Sequence, residues 1–289
     1  MKQVWAANAI RERRKPEHMN IQKDHVAVIT GAGGGLGGAL AEALAKKGCH
    51  LALADISKEA LAETAKSLSL NSGNVTQHVV DVTERKAMET FCDDVLNYHG
   101  GVNLLINNAG ITLQKNFSTH SLEDWERMIG INLWGVIYGC HFFDKALTEA
   151  EEAHLVNLSS MSAFLGLPGQ SSYCATKSGV QLLTDSLMAE WSLKNIGVTS
   201  VHPGAIRTNM ILATLEESDD IEQAKKNFQL AHKTGVNADF AANKIIRAIE
   251  KNKPRIKIGR DSYIFHFIMR FMPSLGNFVM KKVAKKLNP

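Results

Sequence analysis

Val26-Ala27-Val28-Ile29-Thr30-Gly31-Ala32-Gly33-Gly34-Gly35-Leu36-Gly37 joins a β-rich apolar run to a helical pattern through a glycine-dense turn. Glycines there permit a tight turn and let backbone N–H groups approach a pyrophosphate. The opening turn of a helix adds partial positive charge at the same place. A glycine-rich stretch alone is weak evidence, because flexible loops look similar. Its position after a buried strand and before an amphipathic helix gives it weight. No Gly-Lys-Ser/Thr follows, so the Walker loop of a nucleotide triphosphatase is excluded.

Asp55 ends the next apolar run. A carboxylate there can accept hydrogen bonds from both hydroxyls of an adenosine ribose. The same charge repels a 2′-phosphate, and the glycine turn carries no Arg or Lys to compensate. Lys58, the nearest cation, reads as a solvated helix-start residue. NAD is therefore expected over NADP. A plain helix N-cap role for Asp55 would leave the loop upstream unexplained.

Working outward, short apolar runs at 26–29, 51–54, 79–80, 104–106, 155–158 and 198–201 alternate with helical periodicity at 36–47, 58–68, 84–98, 122–147 and 173–194. Such alternation predicts βαβ units and a parallel sheet with helices on both faces. The expected fold is a doubly wound α/β Rossmann fold, a seven-stranded, mostly parallel sheet in one domain over residues 21–260. Segment 208–236 is polar and mixed and interrupts the alternation, as a lid would. Residues 261–289 form an apolar and basic tail. Within it Ile264, Phe265, Phe267, Ile268 and Phe271 could make one helix face, docked on the body or on another subunit, or lying on a membrane surface.

Tyr173 and Lys177 stand four residues apart in Ser-Ser-Tyr-Cys-Ala-Thr-Lys, with Ser160 upstream in Val-Asn-Leu-Ser-Ser. Helix positions i and i+4 share a face, so phenol and ammonium point into one space. A cation beside a Tyr favours the phenolate, and its ordinary pKa near ~10 is expected to fall. Alternation along a strand selects Ser160 over Ser159 to face the same side.

The chain has 289 residues, 45% of them hydrophobic and 21% charged, enough for a sizeable core. The net charge of +4 collects at the ends, in Arg11, Arg13, Arg14 and Lys15 and in Lys281, Lys282, Lys285 and Lys286. No aromatic-interleaved basic stripe accompanies them, so nucleic acid is not an expected partner. The four cysteines lack Cys-x-x-Cys spacing, and no metal-ligand cluster is visible, so no metal is expected. They read as buried hydrophobes in a reducing compartment. No apolar run is long enough to span a bilayer, and the first twenty residues lack a secretory signal's apolar stretch. Residues 1–20 read as a poorly ordered arm, and the expected location is the cytoplasm.

Together these residues resemble the short-chain dehydrogenase/reductase family, in its single-domain branch, over roughly residues 22–260. Thr30, Gly31, Gly35 and Gly37 match its Thr-Gly-x-x-x-Gly-x-Gly, and Asn107-Asn108-Ala109-Gly110 its Asn-Asn-Ala-Gly. The resemblance implies a catalytic set of Asn132, Ser160, Tyr173 and Lys177. Tyr173 would be the general acid/base. Lys177 would lower its pKa and bind the nicotinamide ribose. Ser160 would hold the substrate oxygen, and Asn132 a water leading protons out. Cofactor contacts would come from Thr30, Gly31, Gly33, Gly34, Gly35, Leu36, Gly37, Asp55, Ile56, Asp81, Val82, Asn108, Ala109 and Gly110. Tyr173 and Lys177 would join them, as would Pro203, Gly204, Ile206 and Thr208 in the segment that closes over the nicotinamide.

What the resemblance implies is hydride transfer between NAD and a secondary alcohol or ketone. Leu165, Leu167, Met210 and Leu212 suggest a hydrophobic one. Two other readings stand beside it: an NADPH-linked 3-ketoacyl reductase, and a non-catalytic, cofactor-sensing binding protein on the same fold. Family members often assemble through their long helices, so a homo-oligomer, tetramer or dimer, is expected.

Overall fold

The computed structural model of the chain describes residues 19–68, 73–194 and 196–287. The basic arm read at 1–20 lies outside these residues except for Met19 and Asn20. Met19 is buried, and its N–H donates to the Glu250 carbonyl at 3.1 Å.

The chain alternates strands and helices from its first described element. It runs β1 (Val26–Thr30), α1 (Gly35–Ala45), β2 (His50–Asp55), α2 (Lys58–Ser67), β3 (Val75–Val79), α3 (Arg85–His99) and β4 (Leu104–Asn107). The second half continues α4 (Leu122–Ile129), α5 (Gly135–Glu149), β5 (Ala153–Leu158), α6 (Ser171–Trp191) and β6 (Ile196–Pro203). Two-residue strands β7 (Ile206–Arg207) and β8 (Val236–Asn237) flank α7 (Ile221–Thr234). α8 (Ala238–Glu250), β9 (Arg255–Ile258), α9 (Arg260–Phe271) and α10 (Pro273–Leu287) complete it.

The main sheet has seven strands in the order β3-β2-β1-β4-β5-β6-β9, every pairing parallel. Successive strand side chains feed two different cores. Ala27 and Ile29 of β1 join Leu51, Leu53, Leu104 and Ile106 beneath α1 and α8. Val26 and Val28 join Ala52, Ala54, Leu105 and Leu155 beneath α3, α5 and α6. The strand order reverses between β1 and β4, and the crevice beyond their carboxyl ends is where α/β sheets take ligands.

Three elements differ from the sequence reading. β3 occupies Val75–Val79 rather than 79–80, because as an edge strand it is buried on neither face, and Val79 is mostly exposed. The seventh strand, β9, reads Arg-Ile-Lys-Ile and hides from an apolar scan because it too is an edge. The helix expected over 122–147 is broken by a π-helical turn at Gly130–Trp134. Close approach accompanies this break: a Cβ on Gly135 would stand 2.8 Å from Val82 Cγ2, and one on Gly130 3.3 Å from Thr83 Cγ2. The segment read as a lid is tied at its base by the β7–β8 pairing and by Arg207, whose Nε donates to Gly235 O at 2.9 Å.

Candidate active site

The β1–α1 loop is built against the end of β4. Thr30 Oγ1 accepts from Asn108 N at 3.1 Å and from Ala109 N at 3.2 Å. Asn108 Nδ2 returns two bonds, to Thr30 O at 3.0 Å and Gly31 O at 2.9 Å. Gly31 holds φ +65°, and a Cβ there would lie 2.8 Å from Ala109 Cα. At Gly37 a Cβ would meet Gly31 O at 2.0 Å, so the helix start presses directly on the loop. Leu36 packs against the core beneath α1. Gly34, the N-cap of α1, faces open space, no side chain caps the helix, and its first turn holds no acid. Orphan N–H groups therefore stand free at a positive helix end.

Asp55 closes the other side of the loop. Its Oδ2 accepts from Gly33 N at 2.8 Å and its Oδ1 from Ser57 N at 3.0 Å. Ile56 beside it is 68% exposed. Asp81 Oδ1 takes both the N–H and the hydroxyl of Thr83, at 2.9 and 2.8 Å, fixing the turn that carries Val82. On the far side, Thr208 reaches over the loop, its Cγ2 3.3 Å from where a Gly35 Cβ would be.

Asn132, Ser160 and the pair Tyr173 and Lys177 come from three separate places in the chain, the last two sharing α6. Asn132 sits in the π turn, fully buried, with Oδ1 accepting from Ile111 N at 2.8 Å and Nδ2 donating to Ile111 O at 2.9 Å. A Cβ on Gly110 would stand 3.0 Å from Asn132 Oδ1 and 3.2 Å from Lys177 Nζ, which gives that glycine its reason. Ser160 follows β5 and caps the short 3₁₀ turn at Met161–Ala163, its Oγ accepting from Ser162 N at 3.1 Å, and its hydroxyl acts to lower the Tyr173 pKa. Ser159 donates to Lys177 O at 2.8 Å. Lys177 Nζ lies 5.8 Å from the Tyr173 ring centroid.

The electrostatics correct one expectation. Burial pushes the Tyr173 phenol above its ordinary value, and only the Ser160 hydrogen bond opposes it. Lys177 Nζ instead donates to Leu158 O at 2.9 Å, and burial lowers the lysine's own pKa to about 8. Of the apolar residues read as pocket lining, Leu165 is buried, Leu167 is half-buried, and Met210 and Leu212 are exposed.

Several supporting residues escaped the sequence reading. His202, fully buried, sets Nδ1 3.1 Å from Ser160 O and Nε2 2.9 Å from Ser200 Oγ. Asp261 Oδ2 accepts from Ala205 N at 2.8 Å and so braces the segment Pro203, Gly204, Ile206 and Thr208 from the tail. A Cβ on Gly204 would meet that carboxylate at 2.1 Å, so a larger residue there would have to displace Asp261. Asp219 accepts from Asn116 N and Thr119 Oγ1, both at 2.6 Å, and Arg127 pairs with Glu217, latching the expected lid to the body. A first-turn Asp at 261 was the one visible signal; the other contacts are long-range and leave no local pattern.

A dinucleotide fits this crevice. The uncapped α1 N-terminus offers donors to a pyrophosphate, Asp55 stands at the end of β2, and Gly110 leaves room above Lys177. Among the described residues, no group of three His, Cys, Asp or Glu could hold a metal.

Comparison with known proteins agrees with this geometry. The profile of the short chain dehydrogenase family matches residues 25–219. SadH of Mycobacterium tuberculosis, named as an oxidoreductase, is 34% identical over 264 residues, covering 90% of this chain and 95% of its own. EphD of the same organism, also named as an oxidoreductase, is 31% identical over 260 residues, covering 86% of this chain. The match takes in only 43% of EphD's length. Among solved structures, a short-chain dehydrogenase from Burkholderia phymatum in complex with NAD superposes with TM-score 0.77 at 30% identity, over 83% of this chain and 90% of that one. Levodione reductase gives 0.76 at 27%, over 84% and 99%.

Proposed function

The chain belongs to the short-chain dehydrogenase family, and from that footing we propose that it is an NAD-dependent oxidoreductase acting on a hydrophobic secondary alcohol or its ketone. The observation that supports the reading is Lys177 Nζ 5.8 Å from the Tyr173 ring, in a fold whose α1 N-terminus carries no side-chain cap. The loop from Thr30 to Gly37, with Asn108, Ala109 and Gly110, would hold the dinucleotide phosphates. Asp55 would hold the adenosine ribose, and Ile56, Asp81 and Val82 the adenine. Lys177 and the segment from Pro203 to Thr208 would hold the nicotinamide end. That group supplies the hydride chemistry when bound.

Tyr173 would exchange a proton with the substrate oxygen, and Ser160 would orient that oxygen and stabilise its charge. A phenol raised by burial holds its proton at neutral pH, which suits protonation of a ketone. For the reverse direction the phenol must give up that proton, which positive charge beside the ring would favour. Asp55 favours NAD, as does the NAD bound by the Burkholderia relative. Assembly as a homo-oligomer is supported by the aromatic stripe Trp134, Tyr138 and Phe142, running from the π turn into α5, and by exposed Leu182 on α6.

A panel of alcohols and ketones read by NADH absorbance would find the substrate. On it, Tyr173→Phe should lower kcat at least a hundredfold, with NADH affinity unchanged in a fluorescence titration. Undiminished turnover in that variant would sink the mechanism.

A further inference from the structure

α9 is anchored mainly along one side. Buried Ser262 donates to His202 O at 2.7 Å, Asp261 accepts from Ala205 N, and the His266 ring packs 4.5 Å from Phe164. On its other side Ile264, Phe267 and Phe271 are exposed by 55%, 54% and 67%, next to half-exposed Tyr263, whose ring lies 5.1 Å from Lys244 Nζ and 5.5 Å from Lys257 Nζ. α10 leans on α9 at Gly276, where a Cβ would lie 2.2 Å from Met269 Sδ. Met272, Leu275 and Phe278 extend the exposed apolar surface. Single exposed apolar residues need no explanation, but a run of this size on two consecutive helices does.

Charge identifies what covers it. From residue 262 to the end the sequence holds Arg270, Lys281, Lys282, Lys285 and Lys286 and no Asp or Glu. Arg270, Lys281, Lys282 and Lys285 are exposed, and Lys282 Nζ lies 4.6 Å from the Phe278 ring centroid. We propose that α9 and α10 dock the protein on an anionic lipid bilayer. The aromatic face enters the headgroup–acyl boundary and the lysines meet the headgroup phosphates. Among the described residues no helix is long and apolar enough to cross a membrane, so the pair lies on the surface. A second copy fits worse. A two-fold contact sets this acid-free segment against itself, like charge on like, and lysine is depleted from the cores of protein interfaces. The inference is independent of the reaction read for the crevice.

The test uses the full chain, sedimented with vesicles of phosphatidylcholine alone and of phosphatidylcholine and phosphatidylserine in equal parts. The parent should pellet with the mixed vesicles, stay in solution with the neutral ones, and be released by high salt. Lys281→Gln combined with Lys282→Gln and Lys285→Gln should weaken binding roughly a hundredfold, about fivefold per charge. Phe267→Ser with Phe271→Ser should weaken it at least tenfold while circular dichroism stays that of the parent. No partition of the parent into mixed vesicles overturns the proposal, as does binding indifferent to salt and to the lysine changes. So does a phenylalanine variant that binds vesicles normally but shows a smaller assembly by light scattering, which assigns the surface to a second copy. If the phenylalanine variant misfolds, the lysine variant and the salt release still decide.

Discussion

Lys177 Nζ donates to the main-chain oxygen of Leu158 at 2.9 Å, so the ammonium is tied to the end of β5 as well as set beside Tyr173. The bond satisfies one of three donors on a buried cation, and the remaining desolvation drives the pKa from 10.5 to about 8.

This shift has a stability consequence of definite sign. Between pH 8 and 10.5 the unfolded chain holds a proton that folded Lys177 gives up, so stability rises across that window. Below it the cost of a buried charge is fully present. Lys177→Met removes the titration. Melting temperatures of parent and variant should therefore converge, or shift in the parent's favour, from about pH 7 to about pH 10, by an amount of order 2–3 kcal/mol. A difference that stays flat with pH would show that Lys177 titrates normally.

Gly37 offers a test of the loop that leaves every reacting group in place. An alanine Cβ would meet Gly31 O at 2.0 Å, and neither backbone can yield without opening the turn. Gly37→Ala should cost NADH affinity at least tenfold by fluorescence titration, with a stability loss of about 1–3 kcal/mol. Gly101→Ala, where a Cβ meets nothing within 4 Å, is the control and should bind as the parent does. Equal affinity in the two variants would remove the loop from cofactor binding.

What the sequence made legible follows from which interactions are local. The strand–turn–helix around Gly31, Asp55 at the end of β2, and the i,i+4 pair Tyr173 and Lys177 are short-range. Edge strands β3 and β9 were misplaced or missed, because lying at the sheet margin lets them keep polar residues. The π turn that holds Asn132 has no local marker, since Gly130 and Gly135 answer to Val82 and Thr83 far away in the chain. The reversed direction of the Tyr173 shift was also invisible: spacing gives proximity to a cation but not the burial that outweighs it. For the same reason the tail's bond from Asp261 to Ala205 could not be read from either segment alone.

His202 gives the last prediction. Ser160 O can only accept, so Nδ1 carries the hydrogen and donates to it, leaving Nε2 to accept from the Ser200 hydroxyl. Burial, with Arg255, His266 and Lys257 nearby, lowers the pKa to about 3, so the ring is neutral in the folded protein. Between pH 6.5 and 3 the unfolded chain takes up a proton that folded His202 refuses, and stability falls as the pH falls. His202→Asn should flatten that slope by up to about 1.4 kcal/mol per pH unit, read from urea unfolding at about pH 7 and about pH 5. His25, His78, His99 and His266 are also held below their ordinary values, but they remain in both proteins and cancel in the difference. Because the ring fixes the Ser160 backbone rather than the substrate, the variant should lose kcat more than it gains KM. Parallel acid slopes in parent and variant would mean that the buried ring takes up its proton as freely as it does in water.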